Sequence, residues 1–149
     1  MVWKPRLTVA AVIERDQNFL MVEETIEGRS TLNQPAGHVE DGESILEAVI
    51  RETFEETAWR FQPQHLLGIY RWVHTDGDTF IRVSFSGTVT DFNPLQPLDA
   101  DIDATRWLSM PELLLAEQQQ RMRSPLVMLG ISDFQAGKRF PLDLLQDVV

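Results

Sequence analysis

Residues Gly37–Trp59 read GHVEDGESILEAVIRETFEETAW, and within them Arg51, Glu52, Glu55 and Glu56 form the cluster R-E-x-x-E-E. On a helix the three glutamates stand at i, i+3 and i+4, so they project from one face. Carboxylates packed within one turn repel each other, which costs stability unless a cation fills the gap. Hard divalent ions such as Mg²⁺ favour this all-oxygen environment. The same stretch supplies the helix that carries them. Ser44 followed by Glu47 makes a capping box, and nothing from Ile45 to Thr57 interrupts a helix. Leu46, Val49, Ile50, Thr53 and Phe54 cluster on one side at helical spacing. The helix therefore docks on a sheet while its acidic face looks into a cleft.

Outside this stretch the chain reads as one domain. At 149 residues and 43% hydrophobic it is long enough for a core, and no linker, repeat or low-complexity tract divides it. No apolar run approaches a membrane span, and the start lacks a signal peptide's cleavage pattern. The absence of cysteine excludes disulfides and thiolate metal sites, which fits a cytoplasmic protein. A net charge of −10 disfavours nucleic-acid polymers and anionic membranes as partners. A small phosphorylated substrate stays open, because bound metal ions invert the local field.

Arg6–Glu14 (RLTVAAVIE) is a β-branched apolar run, read as a buried strand, with Phe19–Glu24 returning beside it. Thr31–Gln34 is a short extended piece. Gln62-Pro63-Gln64 is expected to break the chain, with a strand beginning at His65 and running to His74. After the turn Thr75–Asp78, the alternating Thr79–Thr90 completes a hairpin. Asp91–Asp103 is irregular, Thr105–Leu108 is a short strand, and two capped helices follow, from Ser109 and from Ser124. Strands flanking a central helix, with further helices at the end, imply an α/β or α+β sandwich.

The pattern G-x5-E-x7-R-E-x-x-E-E, carried by Gly37, Glu43, Arg51, Glu52, Glu55 and Glu56, resembles the signature of the Nudix hydrolases. Six fixed positions coincide by chance on the order of once in 10⁵ chains of this length, so the likeness is informative. It implies an α/β/α sandwich in which a mixed sheet carries the box helix and the C-terminal helices. It also implies hydrolysis of a phosphoanhydride with Mg²⁺, or Mn²⁺ in its place. Glu55 and Glu56 would be the core metal ligands, joined by Glu52 and a backbone carbonyl near Ala36. Glu52 would orient or deprotonate water, and Arg51 would hold a carboxylate in its rotamer. A further ligand would come from a later loop, with Asp101 the first candidate and Asp99 or Asp103 as substitutes. Two positions depart from the pattern: Thr53 replaces an aliphatic residue, and Ala58 replaces a glycine near the helix end. If that end needs positive φ, alanine costs roughly 1 kcal/mol there and the end is shaped differently.

The flanks VEETIEG, NQPAGH and RSPLV resemble a phosphatase branch of the family. That branch releases phosphate from nucleoside tri- and diphosphates and from the pyrophosphate of a thiamine pyrimidine precursor. Two alternatives stand beside this reading: a pyrophosphatase cutting dinucleotides or nucleotide sugars, and a nucleotide-sensing domain without catalysis. Several residues carry two readings. Glu23 and Glu24 are a charged strand edge or a cleft border. Arg82 is a phosphate clamp or a surface ion pair. Trp72 and Phe80 stack on a substrate ring or pack the hairpin. His38 contacts phosphate or packs its loop, whereas His65 and His74 share no metal-ligand spacing. Assembly as monomer or homodimer is left open.

Overall fold

The computed structural model describes residues 1–149. In chain order the elements are β1 (Arg6–Arg15), β2 (Asn18–Ile26), β3 (Arg29–Asn33), β4 (Ala36–His38), α1 (Ile45–Thr57), β5 (Arg60–Val73), β6 (Thr79–Thr90) and β7 (Ala104–Ser109), followed by α2 (Met110–Gln118), α3 (Pro125–Gln135) and a 3₁₀ turn at Leu142–Leu144. The seven strands form one mixed sheet in the order β3-β2-β1-β6-β5, with β4 added to β1 and β7 added to β2. β1 and β6 run parallel, and the remaining pairs are antiparallel.

β1 and β2 pair only beside their turn, at Glu14–Phe19 and Arg15–Asn18, and then separate. β4 lies along the rest of β1, with Gly37 opposite Val9. The sheet thus has two wings, β4-β1-β6-β5 and β3-β2-β7, and the start of the Gly37–Trp59 stretch sits where they part.

Alternation along β1 divides the core into two layers. Val9, Ala11 and Ile13 pack with Ala48 and Val49 of α1 and with Val83 and Phe85 of β6. Val12 packs instead with Leu113 and Ala116 of α2 and with Val127 and Ile131 of α3. This is the α/β/α sandwich expected from the sequence, and burial on both faces is why β1 is apolar without interruption.

Two local expectations are corrected. Gln62-Pro63-Gln64 does not break the chain, since β5 runs through it with register shifts at Pro63/His65 and Leu66/Gly68. β5 is the edge of its wing, so the missing N–H of Pro63 is accommodated at a bulge. Nor is the end of α1 reshaped. Ala58 adopts φ 63° and ψ 11°, and its N–H donates to the Phe54 carbonyl, so the chain keeps the left-handed turn that glycine favours. The strain of roughly 1 kcal/mol is opposed by burial of the Ala58 methyl, which is 2% exposed. Thr53 is satisfied inside the helix, donating from its hydroxyl to the Val49 carbonyl at 2.8 Å.

Candidate active site

The capping box at Ser44 and Glu47 is formed, and it starts α1 in the register that sends Ala48, Val49 and Thr53 inward. Glu52, Glu55 and Glu56 then fall along the side facing β4 and the Asp91–Asp103 loop. Glu56 is 8% exposed and accepts a hydrogen bond of 2.8 Å from the Ala36 N–H. Burial pushes its carboxyl up to about 9, against the pull of that hydrogen bond; Glu52, Glu24 and Asp99 add repulsion. Burial also raises Glu52, partly offset by Arg51.

The Glu52 carboxylate lies directly over the Cα of Gly37, so a methyl there would overlap it. Close approach, rather than an unusual backbone angle, makes this position a glycine. Arg51 is the hub of the neighbouring polar shell. Its guanidinium donates twice to Glu43, at 2.9 and 2.7 Å. It also donates to Glu52 at 2.8 Å, to Glu55 at 3.1 Å and to the His38 carbonyl at 3.0 Å. Glu43 is held below the usual carboxylate range by these bonds and a backbone N–H. The G-x5-E-x7-R spacing therefore has a mechanical meaning: it closes the loop after β4 onto α1.

Asp99 completes the group. Oxygens of Glu52, Glu56 and Asp99 all lie within 4.8 Å of one another. Asp99 is brought there by its backbone, whose N–H donates to the Glu55 carbonyl at 2.9 Å while its own carbonyl accepts from Ile102 at 2.9 Å. Asp101, the first candidate from the sequence, is not in this group; it is exposed, and its field acts on Glu24. Asp103 accepts from the Thr25 hydroxyl at 2.6 Å. Glu55 is turned to Arg51 and its side chain is 36% exposed. Ala36 contributes its N–H to Glu56.

A hard divalent cation fits these residues. The donors are all oxygens, as such ions require, and Glu56 is a buried carboxylate with no cationic side chain in ion-pair contact. Metal-binding sites of this kind explain buried, mutually repelling carboxylates that would otherwise only destabilise the fold.

Arg82 is not on the surface. It is 5% exposed and donates from Nη2 to Asn33 Oδ1 and Gln34 Oε1, each at 3.1 Å. Burial lowers it to about 10, while the fields of Glu56 and Tyr70 oppose that shift. No carboxylate forms an ion pair with it, so the surface-pair reading does not describe its position. Gln34 is oriented for this contact by donating to the Val127 carbonyl at 2.7 Å.

The two acidic residues at the end of β2 separate in role. Glu23 is tied to Arg106 at 2.7 Å and to Arg121 at 3.3 Å, whereas Glu24 is pushed up by burial and faces Arg123 at 4.0 Å. Glu24 is the one that borders the carboxylate group. His38 ends β4, and burial and Arg6 lower it, leaving the ring neutral at neutral pH. Trp72 stacks at a tilt on Phe80 with centroids 5.4 Å apart. Asn33 and Gln34 open the NQPAGH flank, but nothing in the sequence assigned them to Arg82.

Residues 4–128 match the family model of the NUDIX domain. The chain is 43% identical over 145 residues to Phosphatase NudJ of Escherichia coli (strain K12), covering 97% of this chain and 93% of that protein. The structure of a NUDIX hydrolase from Nitrosomonas europaea aligns with a TM-score of 0.93 at 49% identity, covering 97% of this chain and 98% of the other. The NUDIX domain of Shewanella oneidensis NrtR, solved in complex with ADP ribose, aligns with a TM-score of 0.59 at 21% identity over 80% of this chain and 88% of that one. The last is a likeness of fold alone.

Proposed function

The chain belongs to the Nudix family of hydrolases, and on that basis we propose that it is a Mg²⁺-dependent phosphatase releasing orthophosphate from a nucleoside tri- or diphosphate, or from a pyrimidine pyrophosphate of the thiamine-precursor type. The observation that carries this reading is the convergence of Glu52, Glu56 and Asp99 within 4.8 Å beside a buried arginine with no carboxylate partner. One half of the site suits a cation and the other an anion. A metal phosphate satisfies both.

Bound Mg²⁺, or Mn²⁺ with the same oxygen preference, supplies neutralisation of phosphate charge and a lowered pKa for an attacking water. Glu52, Glu56 and Asp99 hold the ion. Glu55, kept at the rim by Arg51, is available as a further ligand. Glu52 also orients or deprotonates the water, its carboxylate fixed between Gly37 and Arg51. Arg82 contacts a phosphate oxygen by a charge-assisted hydrogen bond, and neutral His38 contacts the phosphates from the open side. The relative named Phosphatase NudJ supports orthophosphate, rather than pyrophosphate, as the product. A small phosphorylated metabolite as partner is compatible with the net charge of −10 because a bound cation inverts the local field, and the reading places its action in the cytoplasm. No helix is long and apolar enough to cross a membrane.

The test is a panel of nucleoside tri- and diphosphates, dinucleotides and nucleotide sugars with Mg²⁺, in which orthophosphate and pyrophosphate are measured separately. Orthophosphate from nucleotides is expected. Pyrophosphate from triphosphates, or turnover confined to dinucleotides or nucleotide sugars, would overturn the reading.

Two variants probe the supporting residues. Arg51→Lys replaces a planar fork with a point charge that cannot hold Glu43 through two bonds and still reach Glu52, Glu55 and the His38 carbonyl. Its kcat/KM should fall by roughly 10–100-fold, as steady-state kinetics would show. Arg82→Gln keeps hydrogen bonding to Asn33 and Gln34 but removes the buried charge. KM should rise roughly tenfold to a hundredfold, while the melting temperature of the metal-free protein stays level or rises. A lowered melting temperature with unchanged KM would make Arg82 a structural residue only.

A further inference from the structure

A groove of about 350 Å³ lies between the β5–β6 hairpin and the start of α3. Its lining includes Trp72, His74, Met122, Arg123 and Met128. Across the hairpin Tyr70 pairs with Arg82, and Trp72 pairs with Phe80. These residues share one face of the sheet, so Trp72 stands two residues, roughly 7 Å, beyond the Tyr70–Arg82 pair. The indole stacks at a tilt on Phe80 at 5.4 Å and meets His74 nearly at right angles at 5.0 Å, and it is half-buried. On the other wall Met122 is fixed by its bridge to Leu32, and the Arg123 N–H donates to the Leu32 carbonyl at 2.8 Å.

Arg123 joins the two regions. It lines the groove, yet its Nε lies 4.0 Å from Glu24, whose charge acts on Glu56. Its side chain is 45% exposed and ion-pairs with no other carboxylate, so it stays available to an anion on the Glu24 side of the groove. An aromatic face opposite two polarisable thioethers suits a flat π-system. The volume lies at the lower end of the roughly 300–1,000 Å³ typical of small-molecule sites, enough for one heterocycle.

We infer that this groove is the subsite for the planar heterocycle of the substrate, which stacks on Trp72 between the hairpin and the methionines of the α3 wall, with Arg123 on its phosphate side. The assignment rests on the phosphoanhydride reading above and adds to it where the organic group lies. It places the choice of organic group outside Gly37–Trp59.

The test compares kcat/KM for the preferred nucleotide with kcat/KM for inorganic tripolyphosphate, which has no ring, in the wild type, Trp72→Ala and Met128→Trp. Loss of a stacking platform should lower the nucleotide-to-tripolyphosphate ratio about tenfold or more in Trp72→Ala. Met128→Trp, which fills the groove from its opposite wall, should lower the ratio in the same direction. Damage to folding lowers both substrates together and leaves the ratio intact, so a ratio within twofold of the wild type in both variants would overturn the assignment. If the wild type does not cut tripolyphosphate, KM for the nucleotide becomes the readout, with the same tenfold rise expected. A wild type that cuts no phosphoanhydride at all would overturn the functional reading itself and this subsite with it.

Discussion

Glu56→Gln should lower kcat by at least roughly 10²–10³-fold while making the metal-free protein more stable at alkaline pH. The loss follows from position: Glu56 is the most buried of the clustered carboxylates, accepts from the Ala36 N–H and offers an oxygen to the group formed with Glu52 and Asp99. Glutamine keeps the shape and can still accept from Ala36, but it brings no negative charge to a cation. Removing one such preorganised electrostatic contact costs about 10²–10³ in rate in other enzymes, and weaker metal binding adds to it.

The gain in stability follows from proton linkage. Glu56 is raised to about 9 in the folded, metal-free protein, from an ordinary value of 4.5. Between these values the folded state holds a proton that the unfolded chain has released. The unfolded state therefore binds fewer protons, and stability falls as pH rises through that window. Glutamine does not titrate, so its advantage over the wild type should grow from pH 5 to pH 9. Mg²⁺ should reverse the order, because it binds and stabilises only the wild type. Thermal unfolding at several pH values, with and without Mg²⁺, measures both effects. A pH-independent difference between the two proteins would remove Glu56 from the role given to it.

Gly37→Ala should separate activity from stability just as sharply. The added methyl overlaps the Glu52 carboxylate, and β4 cannot retreat because Gly37 is paired to Val9. The carboxylate, at the end of a flexible side chain, is what must move. Displacing it breaks the 2.8 Å contact with Arg51 and opens the group with Glu56 and Asp99. The expected result is a fall in kcat/KM of about 10²-fold or more, since displacements near 1 Å cost on that order, with stability lowered by only about 1–2 kcal/mol. Shortening the displaced side chain in Gly37→Ala/Glu52→Asp should recover part of the rate. A variant that unfolds under assay conditions, or that retains wild-type rates, would show that the Gly37–Glu52 contact does not position the carboxylate.

Much of the scaffold was legible because its determinants are local. Ser44 and Glu47 start α1, Leu46, Val49 and Thr53 of its expected apolar stripe turn inward while Ile50 stays exposed, and the uninterrupted run Val9–Ile13 marks a strand buried on both faces. What escaped depends on contacts between distant segments. The Asp91–Asp103 loop offers Asp99, Asp101 and Asp103 at alternate positions, with no periodicity to choose among them. The choice is made by a backbone hydrogen bond from Asp99 to Glu55, which no side chain announces. Alternation placed Arg82 opposite Val83 and Phe85, but its burial depends on Asn33, Gln34 and Val127, from two other segments. Pro63 was a sound local signal of interruption, overridden because β5 lies at an edge and bulges there. Ala58 shows the reverse case, a local cost tolerated because the methyl is buried.

The most direct measurement is orthophosphate release from a nucleoside triphosphate by chelator-treated protein as Mg²⁺ is titrated back. Turnover should be absent without metal, rise to saturation with Mg²⁺ in the wild type, and shift to much higher Mg²⁺ concentration, with a lower plateau, in Asp99→Asn. Orthophosphate release that persists after chelation, or an Asp99→Asn titration that overlays the wild type, would contradict a divalent-metal site built from Glu52, Glu56 and Asp99.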